Sequence, residues 1–206
     1  MIVKDGLEAR RLVCDTIGNG GIVAFRTDTF YGLGVDPSNE AAVRALVELK
    51  GREAGKPILV IVSDAEEVDR FIARRSALFA EVAAKFWPGP LTLVGEARDD
   101  LPEELTAGTG TIGVRLPNDE NVRELVRVCG GALTATSANV SGAPPARSAR
   151  EVLQQFPAGV DLIIDGGEVT VTEPSTVLDL SSNRPHLIRE GAITRDALRS
   201  ILPTLD

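Results

Sequence analysis

The chain has 206 residues, 43% hydrophobic and 25% charged, which suffices for one globular domain with a sizeable core. Twenty-two basic side chains stand against thirty acidic ones, a formal net charge of −8, and this excludes coating nucleic acid through bulk positive charge. No apolar run approaches the ~18 residues of a membrane span, and the N-terminus shows no secretory core, so a cytoplasmic protein with no membrane partner is expected.

Leu7 to Ile17 carries apolar residues at helical spacing and ends at Gly18-Asn19-Gly20-Gly21. Ile22-Val23-Ala24-Phe25 reads as a strand buried on both faces. Asn39 is placed to cap a helix running through Leu49, and Ile58 to Val62 is a second buried strand. Helical stretches over Glu66–Ala73 and Ser76–Phe86 stop at Trp87-Pro88-Gly89-Pro90. Strands follow at Leu91–Val94 and Thr111–Leu116, an amphipathic helix at Asn118–Val128, and a strand at Ala132–Thr136. Ser148 opens a helix, short strands lie at Leu162–Asp165, Thr176–Leu180 and Leu187–Arg189, and Thr194 caps a last helix. The irregular interleaving predicts an α/β fold with a mixed sheet and flanking helices, in one domain over 1–206.

Cys14 and Cys129 lie in apolar helical patterns and are expected to be buried small hydrophobes. With His186 as the single histidine, placed at a strand end, there is no ligand set for a structural metal. Two phosphate-loop lookalikes fail on context. Gly51 to Pro57 is one residue short of a P-loop and has proline where a hydroxyl should hold magnesium. Gly108-Thr-Gly110-Thr-Ile-Gly113 leads into a strand instead of opening a helix. The sequon Asn139-Val140-Ser141 has no meaning without secretion.

Four polar segments beside buried strands resist a packing explanation. Arg26-Thr27-Asp28-Thr29-Phe30-Tyr31-Gly32 follows an apolar strand, and an extended backbone would put the Thr27 and Thr29 hydroxyls on one side. Lys50-Gly51-Arg52 closes a helix with Lys56 just beyond, three cations that suit a polyphosphate, although cations also favour a helix C-terminus. Thr136-Ser137-Ala138-Asn139 ends a buried strand with donors suited to a phosphate or base edge, or to a turn. Arg115, inside an apolar strand, must be paired or reach outward, and Arg189 follows Leu187-Ile188. Arginines converging from strand ends would bind carboxylate or phosphate bidentately. The residues alone indicate a small-molecule anion site, with a nucleotide as the favoured occupant.

Taken together these segments resemble the signatures of the YrdC family. Thr27-Asp28-Thr29-Phe30-Tyr31-Gly32-Leu33 is similar to its T-(D/E)-T-x-Y-G-L motif, and Lys50-Gly51-Arg52 with Lys56-Pro57 to its K-x-R and K-P. Trp87-Pro88-Gly89-Pro90-Leu91-Thr92, Val114-Arg115-Leu116-Pro117, Ser137-Ala138-Asn139, Pro174-Ser175-Thr176 and Ile188-Arg189-Glu190-Gly191 follow in the family's order, over about residues 8 to 202.

The resemblance implies a twisted mixed sheet around a deep, positively lined cleft, in the short single-domain form. It implies a reaction in which L-threonine, bicarbonate and ATP, with Mg2+, give threonylcarbamoyl-adenylate and pyrophosphate. A downstream threonylcarbamoyl transferase complex would then modify tRNA. It implies Lys50 and Arg52 at the ATP phosphates and as the catalytic pair, with Thr106, Arg115, Ser137, Asn139 and Arg189 completing the nucleotide site. Thr27, Tyr31, Arg115 and Ser175 would form the threonine pocket, with no resident metal. Arg26 stands where the family usually has proline and would add a cation near that pocket. The alternative is a tRNA- or double-stranded-RNA-binding protein of the same fold.

Overall fold

The computed structural model describes residues 1–51, 56–171, 173–182 and 184–205. In chain order its elements are β1 (Ile2–Lys4), α1 (Leu7–Gly18), β2 (Val23–Arg26), β3 (Tyr31–Gly34), α2 (Glu40–Lys50) and β4 (Val60–Val62). A 3-10 turn (Ala65–Arg70), α3 (Ala77–Phe86), β5 (Leu91–Glu96), α4 (Glu103–Thr106), β6 (Thr111–Arg115) and α5 (Glu120–Val128) follow. The remainder are β7 (Ala132–Thr134), β8 (Thr136–Ser137), α6 (Ala149–Gln155), β9 (Leu162–Asp165), β10 (Thr176–Asp179), β11 (His186–Arg189) and α7 (Arg195–Arg199).

Helix starts follow their caps. Asn39, Ser76, Ser148 and Thr194 each accept a hydrogen bond from the backbone N–H three residues on, at Ala42, Phe79, Glu151 and Ala197. Asp119 caps α5 by accepting from Asn121 and Val122. At the other end of α2, Gly51 adopts φ 54°, and its N–H bonds to Glu48 O, which makes Lys50 the last helical residue. The stretch expected as helix over 66–73 is the 3-10 turn, in which Phe71 N and Ile72 N both bond to Val68 O.

The mixed α/β architecture is present, but its described strands fall into two sheets where one was expected. One runs β1-β9-β2-β3-β8 and the other β11-β10-β5-β6-β4-β7. The 132–137 stretch is where the chain crosses from one sheet to the other. Its first part, β7, pairs antiparallel with β4, and its second, β8, pairs antiparallel with β3. Sequence reading also missed β1, which has only three residues, and β3, whose two glycines mask its strand character. Gly34 is required there: a Cβ would lie 2.7 Å from the Phe25 ring and 2.9 Å from Thr134 O.

Two apolar clusters explain why the strands read as unbroken hydrophobic runs. Val23, Phe25, Leu162 and Ile164 join Ile61, Leu133 and the buried faces of α1 and α5. Ala24, Leu33 and Ile163 turn the other way, into a larger cluster with Leu91, Leu93, Ile112, Val114 and helices α2, α3 and α6. Alternate residues of β2, β4, β7 and β9 therefore serve different clusters. Cys14 departs from expectation: it lies on the exposed side of α1, with Sγ donating to Val128 O at 3.4 Å, and Cys129 is half-buried. His186 begins β11 and is exposed, as its strand-end position suggested.

Candidate active site

The cavity floor follows from strand periodicity. Thr111, Gly113 and Arg115 alternate on one face of β6, Thr92 and Val94 on β5, and Val177 and Asp179 on β10, all lining a cavity of about 630 Å³. The opposite faces of β5 and β6 belong to the core. Tyr31, Gly32, Thr136 and Ser137 from β3 and β8 form the facing wall, so the site lies between the two sheets. Lys56, Arg115 and Arg189 contribute its positive charge, and Asp179 is its acidic residue among the described ones.

The 27–30 segment is a turn and not the extended strand end expected, yet its two hydroxyls do meet. Thr27 Oγ1 lies 3.1 Å from Thr29 Oγ1, donates to Phe30 O at 2.7 Å, and accepts from Thr29 N. Tyr31 lines the cavity, but its hydroxyl is occupied elsewhere, donating to Gly167 O at 2.8 Å and accepting from Gly166 N at 3.1 Å. Burial is the main cause raising the Tyr31 phenol above its ordinary value.

Arg115 is fully enclosed and resolves the question of how a strand-interior arginine is satisfied: it is paired. Its Nη2 lies 3.2 Å from Asp28 Oδ1, with the side chains 3% and 8% exposed, and Nη1 donates to Thr29 Oγ1 at 3.2 Å. Burial drives its pKa down and Asp28 opposes that shift. Arg189 reaches in from β11 and donates from Nε and Nη2 to Ser175 O, and from Nη2 to Ser175 Oγ at 3.2 Å. Burial and then Arg115 depress its pKa, so two mutually repelling cations face this end of the cavity. An anion placed between them relieves that repulsion.

Ser175 is fixed from two sides. Its hydroxyl lies 3.1 Å from Thr92 Oγ1, and Gly191 packs so tightly behind it that a Cβ would fall 2.2 Å from Pro174 O. The Trp87-to-Pro90 segment leads into this corner. Trp87 Nε1 donates to Leu91 O at 2.7 Å, and Pro90 O accepts from Thr176 N.

Of the expected site residues, Thr27, Tyr31, Arg115, Ser137, Ser175 and Arg189 line the cavity. Lys50, Thr106 and Asn139 are not among the residues that line it. Lys50 Nζ donates to Ser137 O and Asn139 O, and Thr106 Oγ1 to Glu103 O within α4. Asn139 accepts from Ser137 Oγ and donates to Val140 O and Ala143 O. Arg52 lies outside the described residues. Arg26 does not add a cation to the pocket: it is exposed, with Nη1 bonded to Gly166 O and Nη2 4.0 Å from Asp119. Sequence reasoning missed Thr92 and Asp179. A lone hydroxyl inside the apolar run Leu91–Val94 was the available signal for the first.

The Sua5_yciO_yrdC family model, described as telomere recombination, matches residues 15–191. The chain belongs to this Sua5/YciO/YrdC family. It is 37% identical over 193 residues to the threonylcarbamoyl-AMP synthase of Pyrococcus abyssi, covering 93% of this chain and 56% of that protein. To the enzyme of the same name from Thiobacillus denitrificans it is 40% identical over 165 residues, covering 80% and 87%. For the Bacillus subtilis enzyme the figures are 33% over 182 residues, 88% and 53%. The chain thus spans about half the length of the Pyrococcus and Bacillus relatives.

The crystal structure of P. abyssi Sua5 complexed with L-threonine matches with a TM-score of 0.92 at 33% identity, over 100% of this chain and 62% of that one. E. coli YciO shares the fold, with a TM-score of 0.81 at 23% identity over 93% and 94% of the two chains. Within the family frame, the T-D-T, P-S-T and I-R-E-G segments of this chain are the ones brought to the Arg115 end of the cavity.

Proposed function

We propose that this chain is a threonylcarbamoyl-AMP synthase, converting L-threonine, bicarbonate and ATP to threonylcarbamoyl-adenylate and pyrophosphate. The observation that carries the reading is the convergence of Arg115 and Arg189 on Ser175 and the Thr27–Thr29 turn, inside a cavity of small-molecule size. Guanidinium groups suit the carboxylate of an amino acid, and the surrounding hydroxyls suit its alcohol and amine. The relatives named as such synthases, and the related chain that binds L-threonine, support the same reading.

In this mechanism the threonine amine condenses with bicarbonate, forming the N–C bond and releasing water, to give N-carboxythreonine. A carboxylate oxygen of that group attacks the α-phosphorus of ATP while the bond to the β-phosphate oxygen breaks and pyrophosphate leaves. The chain's contribution is to orient the two substrates and to balance charge on the departing pyrophosphate. Lys56 is the remaining described cation lining the cavity for that purpose, and Lys50 holds the 137–139 wall in which Ser137 Oγ donates to Asn139 Oδ1.

Magnesium would enter with the nucleotide. Among the described residues the cavity presents mainly cations and hydroxyls, and the one carboxylate among them, Asp179, accepts from Ser181 N, so none of the described residues is assigned to hold the ion. Release of the adenylate to a tRNA-modifying transferase complex completes the reading.

The test is product analysis by mass spectrometry with purified chain, magnesium, ATP, bicarbonate and L-threonine. Threonylcarbamoyl-adenylate and pyrophosphate are expected only when all substrates are present. Pyrophosphate release unaffected by omission of threonine would overturn the assignment.

A further inference from the structure

Asp28 has no part in the chemistry above, yet it is one of the most enclosed carboxylates near the cavity. Its Oδ1 lies 3.2 Å from Arg115 Nη2, and Asn118 N donates to Oδ2 at 3.3 Å, tying the 27–30 turn to the segment that follows β6. Asp28 Oδ1 and Arg115 Nε are both buried without a hydrogen-bond partner. The guanidinium of this cavity-lining residue is thus held at its two Nη corners by Asp28 and Thr29, while its Nε is buried beneath the lining.

We infer that Asp28 is the positioning residue for Arg115, holding the guanidinium at the cavity lining in the orientation that meets the carboxylate of the amino-acid substrate. Charge balance argues for this role. Two guanidiniums face the pocket, and burying both without a counter-charge is costly. Asp28 offsets one of them from behind, so the pocket keeps a single net positive charge, which one substrate carboxylate completes. With Asp28 neutral, Arg115 would be free to turn away from Arg189 and lose its orientation. The inference rests on the threonine reading of the cavity.

Isothermal titration of the full chain with L-threonine tests it, using wild type, Asp28→Asn, Asp28→Glu, Arg115→Lys and the Asp28→Asn/Arg115→Lys double variant. Asp28→Asn keeps the shape and removes the charge, and should weaken threonine binding by about tenfold or more. Asp28→Glu should recover most of that loss. On the Arg115→Lys background, Asp28→Asn should cost less than about threefold further, because its effect runs through Arg115. Wild-type threonine affinity in Asp28→Asn overturns the inference. So does an equal loss with and without Arg115, accompanied by an equal fall in Tm for the Asn and Glu variants. A wild-type chain that binds threonine but makes no threonylcarbamoyl-adenylate defeats the activity reading and leaves this one standing on the binding data. A wild type that binds no threonine defeats both.

Discussion

Lys50 Nζ donates to the main-chain carbonyls of both Ser137 and Asn139, at 2.6 Å each, so the last residue of α2 clamps the loop that ends β8. Lys50→Ala leaves two part-buried acceptors short of a charged donor, a loss of about 1–3 kcal/mol. The expected result is a lower Tm, together with faster amide exchange over residues 137–143 in the absence of any nucleotide. Unchanged exchange there, with activity lost, would confine Lys50 to a direct role on the substrate.

Two glycine substitutions should both destabilise the fold, but for different reasons and with different effects on the cavity. In Gly191→Ala the new Cβ meets Pro174 O at 2.2 Å and Ser175 C at 2.8 Å, so overpacking of about 1–3 kcal/mol is expected along with displacement of Ser175. Gly51→Ala meets nothing within 4 Å but must hold φ 54°, a backbone cost of about 1 kcal/mol. Thermal denaturation should register both changes. Threonine titration should register a loss only for Gly191→Ala.

The two thiols should be chemically distinct. Burial, with a further contribution from Cys14, pushes the Cys129 thiol up to about 12, so almost no thiolate forms there near neutral pH. Cys14 is exposed on α1. Iodoacetamide at pH 8 should alkylate native protein at Cys14 alone, as read by peptide mass. A Cys14→Ser chain should stay unmodified until urea is added.

Asp64 supplies a pH test of surface electrostatics. A bidentate hydrogen-bonded pair with Arg127 is the main cause holding its carboxyl below the ordinary value of 3.8. A depressed carboxyl contributes stability that is present above its unfolded pKa and disappears as the pH falls through the folded one. Both side chains are 44% exposed, so solvent screening limits the contribution to less than ~1 kcal/mol. Asp64→Asn should therefore lower the denaturation midpoint slightly at pH 7, and the gap to wild type should close as the pH drops below 3.8.

Local signals were legible in the sequence where a single residue determines the outcome. The caps at Asn39, Ser76, Ser148 and Thr194, and the αL stop at Gly51, all depend on neighbours within four residues. What could not be read depends on which strands pair. That Thr92 meets Ser175, that Asp28 meets Arg115, and that Lys50 serves as a clamp all arise from partners more than eighty residues away in sequence. The family motifs located the Arg115, Ser175 and Arg189 corner because their spacing along the chain carries information that hydrophobic periodicity does not. The same approach misjudged Arg26, since the side of a strand on which a terminal residue exits depends on register.

The passage of the chain from β7 to β8 has a further consequence. Ala135 N bonds to Leu59 O, beside β4, and the very next residue, Thr136, pairs with Leu33 in the other sheet. A single stretch of backbone thus contributes to both walls of the cavity, and the gap between them is set by chain length at one residue. Insertion of a single amino acid between Thr134 and Thr136 would move β8 by half a pleat period, displacing Ser137 from its place opposite Gly32 and putting Thr136 there. The substrate chamber therefore tolerates many changes of composition along this run and no change in its length.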